Sequence, residues 1–590
     1  FLQMKNEGSE TWRLILEHVD DWRAQLNASC SHLEAWQISS YTLSLVFLIL
    51  YMLEVSSSDR PILDRIKARL FYVLRTLPWV HRRLQEDLSR AKKEMEEEVH
   101  QFDQSREFYK FIPERGLSRD EIIADAVHYS SMGPCRKRLG EEGREGTRKD
   151  VVQEVSCLFG YTNPRDDTVF PGSRKMEAEV VRMAISLFHG GTSSSGLVVP
   201  SGAEATLVAL HSARVHSSKH GVRFPTVIAS QSAAPSLFHA AKLLGMRVKK
   251  IACKKDGTIE GSSVKRAITS DTAIICVSAP NHSTGTMDPI DAIARIAQRY
   301  SIPLHVDCLL GGFIFPFLEL CDLPAPSSDF RLPGVTSISI DFSKYGQCPS
   351  MCALTLFRDR EMLKGGLFSL PEWPGGIYCS PSLSDSLDGS AIASAWATLL
   401  SKGKEGFVDA TQRLVQATKR VAQAIEELDG VSILGSADTV IVAFETDRPD
   451  DVYYVIQVMR SKGWPIDPLV QPPAARINIV PQLNDDVLFE SFVDDLDTTL
   501  VHLRNNPQLG ESCASRAFHH LIRTAPDRWL VRELAAERTL AHYSIPVPLE
   551  GIRAMRTLSV DGRKTSFISG PTNDLLERKR REVLRDLQRD

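Results

Sequence analysis

Between residues 195 and 360 short apolar runs recur at Leu197–Val199, Thr226–Ala229, Val248–Ala252, Ala273–Val277, Pro303–Asp307, Ser337–Asp341 and Ala353–Phe357. Segments of helix length, 203 to 216, 233 to 244 and 288 to 299, separate most of them. Runs without polar alternation, spaced by helices, predict a mostly parallel central sheet with helices on both faces, an α/β fold. Upstream, Lys175–Leu187 has few β-formers and an apolar face at helical spacing. A Gly/Ser/Pro-rich stretch at 374 to 390 is followed by a helix near 409 to 428, with Leu414, Ala417, Val421, Ile425 and Leu428 on one face. Strand-like runs come next at Val431–Leu434 and Thr439–Phe444, which predicts a second, smaller C-terminal α/β domain.

The N-terminal pattern is different. Residues 35 to 53 carry no charge, close to the roughly 20 residues that span a bilayer core. Arg60, Arg65, Lys67, Arg69 and Arg75 follow this run, against a lone Arg23 in the preceding flank, so a single transmembrane helix is expected with its C-terminal side in the cytosol. Asn27-Ala28-Ser29, a glycosylation acceptor pattern, falls on the side expected to be luminal. The chain opens on Phe1, and its true start is expected upstream. The resulting division is a luminal segment 1–34, an anchor 35–55, a helical linker 56–150, a large domain 151–375, a small domain 376–505 and a charged C-terminal extension 506–590.

Composition narrows the classes. With 43% hydrophobic and 24% charged residues over 590 positions, the chain is globular and long enough for more than one core. Its 70 Lys+Arg against 74 Asp+Glu give a net charge of −4, and no basic stripe with interleaved aromatics is present, so nucleic acid is not an expected partner. The 11 cysteines are scattered, and the close pair Cys348 and Cys352 lacks a second pair at zinc-site spacing, so neither a disulfide framework nor a metal site is expected.

In open α/β sheets ligands collect where strands end, which singles out Asp307 at the end of one run and Lys344 three residues beyond another. A Lys and an Asp on neighbouring strand ends suit pyridoxal phosphate, the amine holding its aldehyde and the carboxylate its ring nitrogen. The turn Val199-Pro-Ser-Gly-Ala-Glu204 leaves a strand and opens a helix, a place for a phosphate. Each residue singly also has a structural explanation, as a loop cap or a surface lysine. His239, His282 and His305 are read as structural.

Several strings now converge. Thr162-Asn-Pro164, Phe170-Pro-Gly172, Lys175-Met-Glu-Ala-Glu-Val-Val-Arg-Met183, Ile302-Pro-Leu-His-Val-Asp307, Gly311-Gly-Phe313, Gly334-Val-Thr-Ser-Ile-Ser339, Lys344-Tyr-Gly346 and Gly375-Gly-Ile-Tyr378 resemble the sphingosine-1-phosphate lyase family, a branch of fold-type I pyridoxal-phosphate enzymes. The resemblance implies that fold, an endoplasmic reticulum membrane anchor with cytosolic catalysis, and a homodimer. It implies a lyase that cleaves a sphingoid-base phosphate to a fatty aldehyde and phosphoethanolamine. Lys344 is then the Schiff-base lysine and Asp307 the partner of the ring nitrogen. Gly202 and Ala203 lie at the phosphate turn, Asn163 in the Asn-Pro string, and Lys344 and Tyr345 near the reacting hydroxyl.

The departures are as informative. Ala234 stands where the family has a ring-stacking His, Ser343 where it has a His before the lysine, and Ser350 where it has a Lys that meets substrate phosphate. Asn163-Pro-Arg-Asp166 and Asp385-Ser-Leu387 also differ from the family strings. Losing charge-assisted hydrogen bonds to a phosphate costs about 1.5–3 kcal/mol each. Three readings stay open: a lyase for phosphorylated sphingoid bases, a pyridoxal-phosphate enzyme of changed substrate or reaction such as an amino-acid decarboxylase, and a catalytically impaired paralogue.

Overall fold

The computed structural model describes residues 34, 36, 37, 39–46, 62–99, 120, 149–166, 168–437, 439–511, 513–525 and 528–544. The chain forms two compact units, one of residues 1–73 with 123–528 and one of residues 74–122 with 529–590. In the second, Lys92 pairs with Glu537 at 2.9 Å and the Arg75 guanidinium lies 4.2 Å from the Trp529 ring centroid. The linker and the C-terminal extension read separately in the sequence thus meet in one unit. The charged run 576–590 lies outside the described residues.

The first unit is built on a seven-stranded sheet: β1 (Ser195–Val199), β2 (Thr226–Ser230), β3 (Arg247–Ile251), β4 (Thr272–Ser278), β5 (Leu304–Cys308), β6 (Val335–Asp341) and β7 (Ala353–Phe357), in the order β1-β7-β6-β5-β4-β2-β3. The neighbours from β3 to β6 pair in parallel, and β7 runs antiparallel to both β1 and β6. β4, β5 and β7 are buried at every position, which is why each reads as an unbroken apolar run. Helices Gly202–Lys219, Pro235–Leu243 and Ile290–Arg299 connect the strands, as the spacing predicts. A short hairpin, β8 (Phe368–Leu370) with β9 (Tyr378–Ser380), leads toward the small domain.

That domain carries a four-stranded sheet of β10 (Val431–Ile433), β11 (Ile441–Thr446), β12 (Ile466–Val470) and β13 (Pro473–Asn478), ordered β10-β11-β13-β12 and antiparallel throughout. The helix expected at 409 to 428 is the second half of a longer run, Gly389–Glu426, broken at Gly403, where φ is 60°. Only glycine takes that left-handed turn at little steric cost. The first half packs back on the large domain, where the Trp396 indole donates to Glu179 at 2.6 Å.

Close packing fixes where β6 sits. A Cβ added at Gly334 would lie 2.7 Å from the carbonyl carbon of Ala294 in the helix Ile290–Arg299, a backbone atom that cannot step aside. Gly334→Ala is expected to destabilise the fold by about 1–3 kcal/mol. Gly191→Ala, where nothing lies within 4 Å, is expected to leave the thermal unfolding midpoint unchanged. A midpoint for Gly334→Ala equal to that of the Gly191 variant would refute the packing argument.

The expected membrane anchor, 35–55, is helical at residues 36–37 and 39–46 and otherwise lies outside the described residues. Among the described residues no helix is long and apolar enough to cross a membrane.

Candidate active site

Parallel pairing aligns Ser278 of β4, Asp307 of β5 and Ser339 of β6 in one row at the carboxyl edge of the sheet. Alternation along each strand places His305 and Asp307, and Ser337, Ser339 and Asp341, on one face. His305 is fully buried and bridges Ser337 Oγ at 2.9 Å and Ser339 Oγ at 3.2 Å. Burial lowers its pKa to about 4, so it is a neutral, structural histidine, as read from the sequence. His239 lies exposed on the helix Pro235–Leu243.

Asp307 is 3% exposed. Its Oδ1 accepts from the Leu309 amide at 3.1 Å, and its Oδ2 lies 4.0 Å from Nε2 of His282. Burial pushes the Asp307 carboxyl above the ordinary carboxylate range, and the His282 charge pulls the other way. Asp288, behind it, donates no charge to the site freely: burial raises its pKa to about 7 while Oδ2 holds the Ser278 amide at 2.8 Å.

Lys344 stands in the turn beyond β6, with its side chain exposed. Just before it, Ser343 gives both its amide and its hydroxyl to Asp341 Oδ1, at 2.9 and 2.6 Å. Gly202 opens the 18-residue helix Gly202–Lys219, capped by Ser201, whose Oγ accepts from the Glu204 amide at 3.3 Å. A Cβ on Gly202 would come within 2.7 Å of Leu309 and 3.3 Å of Asp341 Oδ2, so the helix start is pressed against the ends of β5 and β6. The first-turn amides of Gly202 and Ala203 have no intrahelical partners, which leaves them for an anion. Ala234 is buried at the start of the helix Pro235–Leu243.

Other nominated residues are engaged elsewhere. The Tyr345 hydroxyl lies 3.4 Å from the Val440 carbonyl and 3.3 Å from that of Ile479, so it ties the turn to the small domain. Asn163 Oδ1 accepts from the amides of Arg165 and Leu387, both at 3.1 Å, a staple between two loops. Ser350 donates to Ser394 Oγ at 3.1 Å. Ser384 bonds Glu204 through its amide and hydroxyl, which lays the segment 382–388 beside the helix start.

His282, read as structural in the sequence, lies next to Asp307. It follows β4 by four residues, so the rule that singled out Asp307 also covered it, but a lone histidine carries no pattern. Its Nε2 is buried and has no hydrogen-bond partner. Arg476 of β13 donates to its backbone carbonyl and also pairs with Asp467 at 3.2 Å.

These residues fit pyridoxal phosphate. A buried carboxylate whose Oδ2, among the described residues, faces an imidazole beyond hydrogen-bond length suits a protonated ring nitrogen, Lys344 offers an amine on the adjacent strand end, and the Gly202 turn offers amides to a phosphate. The fold and the site define a pyridoxal-phosphate-dependent enzyme of the decarboxylase class, and a family model described as the pyridoxal-dependent decarboxylase conserved domain matches residues 166–447. Glutamate decarboxylase from Lactobacillus brevis shares this fold at 18% identity, with a TM-score of 0.59 over 68% of this chain and 96% of that one. Sphingosine-1-phosphate lyase 1 of Rattus norvegicus is 30% identical over 93% of this chain and 97% of its own length. The Drosophila melanogaster lyase is 28% identical over 86% of this chain and 94% of its own length. The structure of the Burkholderia pseudomallei lyase matches at 30% identity with a TM-score of 0.64, covering 69% of this chain and 96% of that one. The chain belongs to the sphingosine-1-phosphate lyase family and is a pyridoxal-phosphate-dependent lyase.

Proposed function

We propose that the protein cleaves the bond between C2 and C3 of a long-chain 2-amino-3-hydroxy compound, a phosphorylated sphingoid base, to a fatty aldehyde and phosphoethanolamine. The observation that carries this reading is the buried Asp307 beside the strand end that bears Lys344. Bound pyridoxal phosphate supplies the sink for the electron pair released as that bond breaks. Lys344 would hold the cofactor's aldehyde carbon through its amine. Asp307 keeps the ring nitrogen charged, and the amides of Gly202 and Ala203 hold the phosphate. The turn of Ser343 and Lys344 is fixed through Asp341, which orients the lysine without touching substrate.

A changed substrate is favoured by one set of contacts. Ser343 and Ser350 are both neutral, and both hydroxyls are bonded within the protein. No cation stands at either position for a substrate phosphate, which suits an amino alcohol or amino acid lacking that group. The test is release of long-chain aldehyde from phosphorylated and unphosphorylated sphingoid bases, followed by mass spectrometry. Combining Ala234→His, Ser343→His and Ser350→Lys is expected to raise kcat/KM for the phosphorylated substrate roughly a hundredfold, from two recovered charge-assisted bonds. Unchanged preference after that substitution would overturn the phosphorylated-substrate reading, and aldehyde from neither substrate would overturn the proposal.

The same reading includes a single membrane anchor at 35–55 in the endoplasmic reticulum, with the catalytic part facing the cytosol. The uncharged run 35–53 and its basic C-terminal flank support it. It also includes a homodimer. Large apolar side chains left 99% exposed at Tyr161, 88% at Ile377 and 79% at Leu383 are surfaces that a second copy would cover. Detergent-free sedimentation of residues 56 to 590 and carbonate extraction of membranes holding the full chain test these two parts.

A further inference from the structure

We propose that His282 is a cofactor-positioning residue, its imidazole set against the carboxylate of Asp307 so that the carboxylate stays charged for the cofactor's ring nitrogen. The inference rests on the pyridoxal-phosphate reading and adds to it a residue that this reading does not require. Three observations carry it. His282 lies on the loop that leaves β4, beside the end of β5, and its Nε2 is 4.0 Å from Asp307 Oδ2. That nitrogen is buried and has no hydrogen-bond partner among the described residues. The loop is also held from across the domain boundary, because Arg476 of β13 donates to the His282 carbonyl.

The charged groups around the imidazole come from four elements: Asp307 on β5, Asp341 at the end of β6, Lys344 on the turn beyond β6, and Arg476 on β13. Burial holds the imidazole pKa below its ordinary value; Asp307 draws it up, Arg476 and Lys344 push it down, and Asp341 draws it up. Burial acts on Asp307 in the opposite sense and favours its protonated form. The two groups therefore compete for one proton, and with the imidazole present that proton can reside on His282 and leave Asp307 ionised. Ala234 and Ser343, the other positions flanking the site, carry no group that titrates. Without His282 the carboxylate would face burial with no cation beside it, and its protonation would move to higher pH.

The experiment is a visible-absorption titration of the full chain with pyridoxal phosphate, at about pH 6 and about pH 8.5. His282→Phe keeps a flat ring and removes both nitrogens. It is expected to raise the cofactor dissociation constant roughly tenfold or more at the lower pH and less than about threefold at the higher one. His239→Ala, on an exposed face, is expected to change neither. Equal weakening at both pH values would assign His282 to packing and overturn the proposal, as would no weakening at all. In the apo protein, nuclear magnetic resonance of labelled histidine is expected to show the His282 pKa falling in Asp307→Asn, since the variant lacks the carboxylate that favours the imidazolium. An unmoved value would also overturn the proposal. If the unsubstituted protein forms no Lys344-dependent band, the cofactor reading falls and the proposal with it. A normal band that His282→Phe leaves untouched overturns the proposal alone.

Discussion

Lys344→Ala is expected to abolish the cofactor's protein-dependent visible band and to lower turnover at least about a thousandfold, the scale on which a group that is both nucleophile and proton carrier acts. The side chain is exposed, and among the described residues no hydrogen bond or ion pair is found for it, so removing it should shift stability by no more than about 0.5 kcal/mol. Loss of activity with an unchanged unfolding midpoint is therefore the expected pair of results. Retained turnover in the alanine variant would mean that another amine holds the cofactor. Tyr345→Phe is the contrasting case. Its hydroxyl lies near backbone carbonyls of Val440 and Ile479, so its loss should loosen the turn and leave the pH dependence of turnover unmoved.

Asp307→Asn should produce an opposite pairing of effects, with less activity and a more stable apo protein. The amide has the shape of the carboxyl but cannot hold the ring nitrogen charged, and turnover is expected to fall by about 10²–10⁴-fold. Burial raises the Asp307 pKa in the folded chain above its unfolded value. The folded protein thus holds the carboxyl proton more tightly than the unfolded one, and this group's contribution to stability declines as pH rises above the unfolded pKa. Asparagine carries no such penalty. Thermal unfolding of the apo variant should show a midpoint gain of roughly 1–3 °C at about pH 8, shrinking at about pH 5. A gain that grows on acidification would contradict the assigned direction.

The sequence made the large sheet legible because its central strands are buried on both faces, so each stands out as an apolar run between turn residues. All seven of its strands begin and end within two residues of the runs that mark them. The small sheet was harder to read. β12 and β13 contain Pro468 and Pro473, and β13 includes Arg476, so neither shows a clean apolar run. The first half of Gly389–Glu426 went unread in the sequence because Gly389, Ser390, Ala391, Ala393, Ser394 and Ala395 are small and give no marked apolar face. Small side chains are what allow that segment to pack closely on the large domain. Asp307 and Lys344 were legible because position at a strand end is a property of order along the chain. Tyr345 was nominated by its neighbour in sequence, and its contacts with Val440 and Ile479 come from positions too distant for any local pattern to encode. Arg476 reaches the site from a strand far away in sequence, which no local pattern encodes.

β1 has β7 as its pairing partner, and β7 in turn joins it to β6. The bond from Thr355 to the Ala205 carbonyl spans 150 positions. The helix start at Gly202 and the lysine turn therefore become neighbours only after residue 357 has been made. A ribosome-bound chain that stops short of β7 holds an unpaired first strand and half a cradle, while Asp307 has already been synthesised. Such a chain closes its most distant strand pairing last, at the loop-closure cost of a high contact order. Completion of the cofactor cradle is then a late event in the life of the nascent polypeptide.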